Sequence, residues 1–299
     1  MREGKQDEIR ASDPRISLTD LRIDPYSPAE MAGRAQKVGE AKAGHDFVNL
    51  LTLAVLAGAF IALGAQFATI AGIDSALGWG PTRVLVGTVF SIGLILVVIA
   101  GAELFTGNTL IIMAWLGRRV SSASLLRNWA VAYAGNFVGA IATVLLIYYA
   151  GQWAFAEGRV GAHALNIAIS KVQLGFVEAL LLGILCNAMV NLAVWLCLSA
   201  RSNVDKVFVI IPMIAGFVAS GFEHSIANMY FIPIGILLKG NEEVVELSGA
   251  GGDALADLTW GSFLVDNLLP VTIGNVIGGA VMVAAIYWLV YLRTSRNAA

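Results

Sequence analysis

Six stretches of this chain are apolar and long enough to cross a bilayer, at 47–73, 83–115, 128–150, 172–199, 206–238 and 264–292. A helix needs about 20 mostly apolar residues to span a hydrocarbon core roughly 30 Å thick. The second and fifth stretches exceed one plain crossing, and both carry Gly and polar residues in their middles. They read as broken helices. Composition agrees: of 299 residues, 58% are hydrophobic and only 13% charged. That is too few charges to cover a soluble protein of this size, which excludes an ordinary cytosolic enzyme and a disordered chain. A net charge of −2 gives nucleic acid nothing to hold.

The charges are unevenly placed. Residues 1–46 hold 17 of the 40. The chain reads as a polar head at 1–45, a membrane body at 46–293 and a short tail at 294–299. No apolar stretch precedes Phe47, so the head is not a signal peptide. Lys and Arg near span ends set orientation. With the head inside, inner segments carry 15 and outer segments only Arg83, Arg159, Lys171 and Lys239. Both termini are therefore expected in the cytoplasm. Ser27, Pro28 and Glu30 form a capping box, which starts a helix running to about Gly44. That helix reads as a surface element docked under the bundle, or as a mobile plug at the inner mouth. Cys186 and Cys197 lie in apolar surroundings without a CxxC pattern, and no metal or cofactor is expected.

The two halves repeat each other. Gly101-x-Glu103-x-x-x-x-Asn108 matches Gly221-x-Glu223-x-x-x-x-Asn228. Asn128…Gly135-Asn136-x-x-Gly139 matches Asn267…Gly274-Asn275-x-x-Gly278, and Phe47-Val48 matches Phe176-Val177. Each half has three spans, an odd number, so the second half sits upside down relative to the first. Inverted repeats with paired broken helices place a site near the midplane. The expected fold is thus all-α, with six transmembrane helices in two inverted three-span repeats. Breaks at 101–108 and 221–228 point at a pathway, because irregular backbone at that depth needs protein or a water-filled cavity around it.

Ionisable groups in spans are functional candidates by default. Here they are Glu103, Glu178, Glu223, His224 and Asp266, with Lys171 at the outer edge of span four. His224 is the one histidine at depth, since His45 precedes span one and His163 falls in an outer loop. Its imidazole can donate to a carboxylate-like anion, and an unperturbed pKa of about 6.5 permits protonation near neutrality. Matched Glu103 and Glu223 would repel an anion. They read as structural acceptors for backbone N–H groups freed at the breaks, with Asn108 and Asn228 beside them. Thr106 offers an uncharged hydroxyl in the first break. Lys171 can raise the local anion concentration at the outer mouth. Phe90, Leu94, Leu104 and Phe217 flank the breaks, where apolar constrictions can gate a pore.

Longer motifs identify a family. Ala102-Glu103-Leu104-Phe105-Thr106-Gly107-Asn108, Leu185-Cys186-Asn187-Ala188-Met189-Val190, Gly221-Phe222-Glu223-His224-Ser225-Ile226-Ala227-Asn228-Met229 and Pro270-Val271-Thr272-Ile273-Gly274-Asn275-Val276-Ile277-Gly278-Gly279 resemble the formate–nitrite transporter family, above all its formate channel branch. The resemblance runs from about Pro28 to Arg293. It implies an aquaporin-like protomer with its own pore, a homopentamer, and residence in a bacterial cytoplasmic membrane. It implies passage of formate, or in relatives nitrite, hydrosulfide, acetate or lactate. Carried over residue by residue, the substrate pathway falls on His224, Thr106, Lys171 and Asn187, and the constriction on Phe90, Leu94, Leu104 and Phe217. One departure is that Glu103 stands where the formate branch is expected to carry Asp.

The leading expectation is a formate channel, and passive anion flow, proton-coupled carriage of the neutral acid and pH gating by the head all fit the sequence. The alternative is a nitrite or other small-anion transporter of the same fold. An enzyme is disfavoured, because Ser225 and His224 are helix neighbours that do not face each other and no hydrolase motif is present. A purely structural role leaves the polar breaks unexplained.

Overall fold

The computed structural model describes residues 24–293; the start of the head and the 294–299 tail lie outside the described residues. The described residues are helical and irregular, without strands. In chain order the helices are α1 (Pro28–Ala43), α2 (Phe47–Ala71), α3 (Trp79–Ala100), α4 (Phe105–Leu116), α5 (Ser122–Tyr149), α6 (Arg159–Val172), α7 (Phe176–Cys197), α8 (Asn203–Ala219), α9 (Ser225–Leu238), α10 (Glu242–Ser248), α11 (Gly252–Asp257) and α12 (Trp260–Tyr291). Five of these, α2, α3, α5, α7 and α12, are singly long and apolar enough to cross a membrane. The remaining crossing is assembled from α8 and α9. Six crossings in two inverted repeats result, and the protein is a membrane protein.

Each broken crossing is interrupted where the sequence places a glycine before the matched glutamate. Gly101 has φ +83 and Gly221 has φ +75, a left-handed conformation that ends α3 and α8 without steric cost. The non-helical stretches are shorter than expected, at 101–104 and 220–224. Thr106 therefore lies in the first turn of α4 rather than in the break itself. The reason is that the chain re-enters a helix as soon as a side chain can accept from the freed N–H groups.

The repeat is larger than the three spans. Helix α1 begins at the Ser27–Glu30 capping box, buries Met31, Ala32 and Ala35, and packs on the α4 region. Helix α6 packs in the same way on α9. Each half is thus a surface helix, a span, a broken span and a span. This corrects two expectations: His163 and Lys171 lie on α6, and span four starts at Phe176, after a short link ending in Gly175. Residues 152–172 lack the length and apolarity of a span, so the inverted partner of the head helix was read as loop.

Small residues let the repeat units close. Helix α2 packs along α5, and α7 along α12. A Cβ on Gly139 would overlap the Val55 carbonyl, and one on Gly278 would overlap the Ile184 carbonyl. Such backbone approach is how membrane helices associate without a hydrophobic driving force. Gly139→Val should therefore cost about 3 kcal/mol or more by overpacking. Gly33→Ala, where nothing stands within 4 Å of the added methyl, should gain about 0.5–1 kcal/mol. Thermal unfolding of the detergent-solubilised protein checks both, the first losing folded oligomer and the second raising the midpoint.

Candidate functional site

Two asparagines hold the breaks open. The Asn136 side chain accepts from Phe105 N–H at 2.9 Å and donates to the Ala54 and Glu103 carbonyls at 2.7 and 3.0 Å. Asn275 repeats the arrangement: it accepts from Ser225 N–H at 2.9 Å and donates to the Gly183 and Glu223 carbonyls at 2.8 and 2.9 Å. Both are fully buried. Each satisfies one amide and one carbonyl of its break, groups that cost heavily if buried unpaired, and ties them to a carbonyl of the neighbouring span, Ala54 in α2 or Gly183 in α7.

The glutamates do something other than expected. Glu103 receives Lys42 Nζ at 2.7 Å and Asn108 Nδ2 at 2.7 Å, with His45 Nε2 at 3.8 Å. Glu223 receives Lys171 Nζ at 2.6 Å, Asn228 Nδ2 at 2.7 Å and Asn267 Nδ2 at 3.3 Å. Their carboxylates pair with lysines and asparagines; of the freed N–H groups, those of Phe105 and Ser225 go to Asn136 and Asn275, and those of Glu103 and Glu223 go to the Leu53 and Leu182 carbonyls. Asn128 and Asn267 complete each cluster: they donate to the Lys42 and Lys171 carbonyls at 2.9 and 2.8 Å and accept from Asn108 and Asn228. Lys42 was not singled out in the sequence. It precedes Phe47 by five residues, as Lys171 precedes Phe176, and that matched spacing was the available signal. Glu178 and Asp266 are exposed.

Two cavities approach the midplane. One, of about 760 Å³, is bordered by Lys171, Glu223, Phe90, Phe217 and His224. The other, of about 400 Å³, is bordered by Lys42, Glu103, Leu94 and Leu104. The four constriction candidates thus divide: Phe90 and Phe217 meet edge to face at 5.8 Å on the Lys171 side, and the two leucines lie on the Lys42 side. Thr106 borders neither cavity and is fully buried between them.

Thr106 Oγ1 and His224 Nε2 are 2.9 Å apart. His224 Nδ1 accepts the backbone N–H of Ala227 at 3.1 Å, so the ring proton belongs on Nε2. Nε2 then donates to Thr106, whose own hydroxyl proton is left to serve another acceptor. Asn187 stands apart from both cavities. It donates to the Asn275 carbonyl at 2.6 Å and the Thr106 carbonyl at 3.3 Å, while Asn191 donates to the Thr106 carbonyl at 3.0 Å. These two residues fix the backbone that carries Thr106.

The statistical model of the family described as Formate/nitrite transporter matches residues 29–289. This chain belongs to the formate/nitrite transporter family. It is 42% identical over 274 residues to the formate channel FocA of Escherichia coli K12, covering 91% of this chain and 96% of that one. The formate channel FocA of Haemophilus influenzae is 41% identical over 86% of this chain and 92% of its own length. A solved pentameric formate channel with formate bound shares 41% identity, with a TM-score of 0.75, over 83% of this chain and 98% of that one. Members of this family are transporters and channels, so the chain is no enzyme.

The Lys171–Glu223 pair is largely buried, with side chains 14% and 6% exposed. Removing one partner from such a pair leaves a stranded charge. Lys171→Ala should destabilise the protein by about 2–3 kcal/mol, and adding Glu223→Gln should recover about half of that or more. Denaturation midpoints of the two variants and the wild type measure the difference.

Proposed function

We propose that each protomer of a homopentamer passes formate across the bacterial cytoplasmic membrane, with both termini in the cytoplasm. The Thr106–His224 hydrogen bond carries this reading: it is the polar point between two cavities that apolar side chains otherwise close. The excess of Lys and Arg on the head side puts the Lys42 cavity inside and the Lys171 cavity outside. Relatives named as formate channels support the substrate, and the pentameric solved structure supports the assembly.

The chemistry follows from the donors. A bare charge at the bilayer centre costs several kcal/mol. An anion at the inner end of the outer cavity meets His224 beside the Phe90–Phe217 contact and, past that contact, Thr106. There the Thr106 hydroxyl, and the Nε2–H once the anion takes the place of Thr106 Oγ1 as its acceptor, donate in place of water. Beyond them Leu104 and Leu94 border the cavity that opens inward. A small planar carboxylate can reach this point, while a larger anion has to widen both constrictions.

Formate and nitrite uptake into liposomes across a pH series tests the proposal. Saturable formate uptake above protein-free liposomes is expected. Faster nitrite than formate uptake would move the assignment to the nitrite branch, and no uptake of either would overturn it. His224→Phe, similar in size but unable to donate, should lower formate flux at least about tenfold with the oligomer intact. Wild-type flux and pH response in that variant would remove His224 from the pathway.

A further inference from the structure

Charge is distributed unexpectedly around the larger cavity. Lys171 spends its ammonium on Glu223 at 2.6 Å. Asp74, also on the wall, is paired with Arg159. Arg83 is the remaining cation on this wall, and it has no carboxylate partner among the described residues. Its Nε and Nη2 donate to the Ala219 and Val218 carbonyls at 3.1 and 2.8 Å, the last carbonyls of α8. Nη1 has no hydrogen-bond partner among the described residues. The α8 terminus carries about half an elementary charge of negative sign, which offsets only part of the guanidinium. His163 shares the cavity, but burial lowers its pKa and the charge of Arg83 lowers it further, so at neutral pH it adds no charge.

Position matches charge. Arg83, Val86 and Phe90 lie on one face of α3 and all border the cavity. Seven residues of helix place Arg83 about 10 Å from Phe90 along the axis. The α8 carbonyls fix the guanidinium there, between the mouth and the constriction.

We propose that Arg83 forms an anion-binding subsite in this cavity, holding a small carboxylate through its free N–H groups before the Phe90–Phe217 constriction. The subsite rests on the reading that the chain passes formate. Lys171, neutralised by Glu223, is then a structural charge, and Arg83 is the charge an entering anion meets. The guanidinium suits a carboxylate because its planar fork presents two parallel donors.

The test is formate uptake into right-side-out and inside-out membrane vesicles carrying wild type, Arg83→Gln or Arg83→Lys, with oligomer content measured in each. Both substitutions retain a donor for the α8 carbonyls, and the lysine also retains the charge. Arg83→Gln should raise the half-saturating formate concentration about three- to tenfold at low salt, in one vesicle polarity only. The rise should shrink to under about twofold near 0.5 M salt, with maximal flux preserved. Arg83→Lys, which keeps the charge but not the fork, should raise the half-saturating concentration less than Arg83→Gln and keep the salt dependence. An unaltered half-saturation in Arg83→Gln, or a change equal in both polarities and indifferent to salt, overturns the subsite and leaves a helix cap. Should the glutamine variant not assemble, loss of salt dependence in Arg83→Lys overturns it equally. A wild type without formate flux overturns the functional reading and the subsite together; a conducting wild type beside an unaltered Arg83→Gln overturns the subsite alone.

Discussion

A backbone broken inside a membrane has to find its hydrogen bonds within the protein, and here two asparagine side chains and two carbonyls of the neighbouring spans supply them. Lipid offers no donors or acceptors, so a gap of four or five residues exposes groups that each cost several kcal/mol if unpaired. Asn136 and Asn275 bridge each gap to the adjacent span with the same three bonds, two to the gap and one to the span. Much else is arranged around this. The glycines of α5 and α12 bring these spans close enough for the asparagines to reach, and the Lys–Glu–Asn clusters brace the chain ahead of each break.

Function arises where the symmetric frame carries unlike side chains. Glu103 and Glu223 hold matching positions and make matching bonds. One residue later, Leu104 occupies the place that His224 takes in the other half. The same backbone therefore presents an apolar wall to one cavity and an imidazole to the other. Thr106 answers His224 across the pseudo-symmetric centre, and Asn187 and Asn191, which have Gly58 and Ala62 as their counterparts, steady its carbonyl. Dissymmetry in four or five side chains converts a structural repeat into a polar point between two cavities.

Much of this was legible in the sequence. Apolar length gave the spans, the Gly-x-Glu matches gave the breaks, and the Ser27–Glu30 box gave the start of α1, because each rests on a local rule. Partnerships across the fold were not legible. The glutamates were assigned to backbone amides, since no spacing rule says that Lys42, 61 residues before Glu103, reaches it. Helix α6 was read as loop because its apolar face is too short to resemble a span. Asn187 was placed in the pathway from family resemblance, whereas its bonds point it at the carbonyls of Thr106 and Asn275. Lys171 looked like a free steering charge until Glu223 was found beside it.

The central claim is that His224 presents a donor toward Thr106 and the anion path while its other nitrogen is committed to the backbone. Nitrogen-15 NMR of the His224 ring in bilayers reads that directly. The account predicts a bare Nδ1 and a protonated Nε2, with the Nε2 resonance shifting on addition of formate and Nδ1 staying fixed by Ala227. A proton on Nδ1, or an Nε2 signal indifferent to formate, would contradict it.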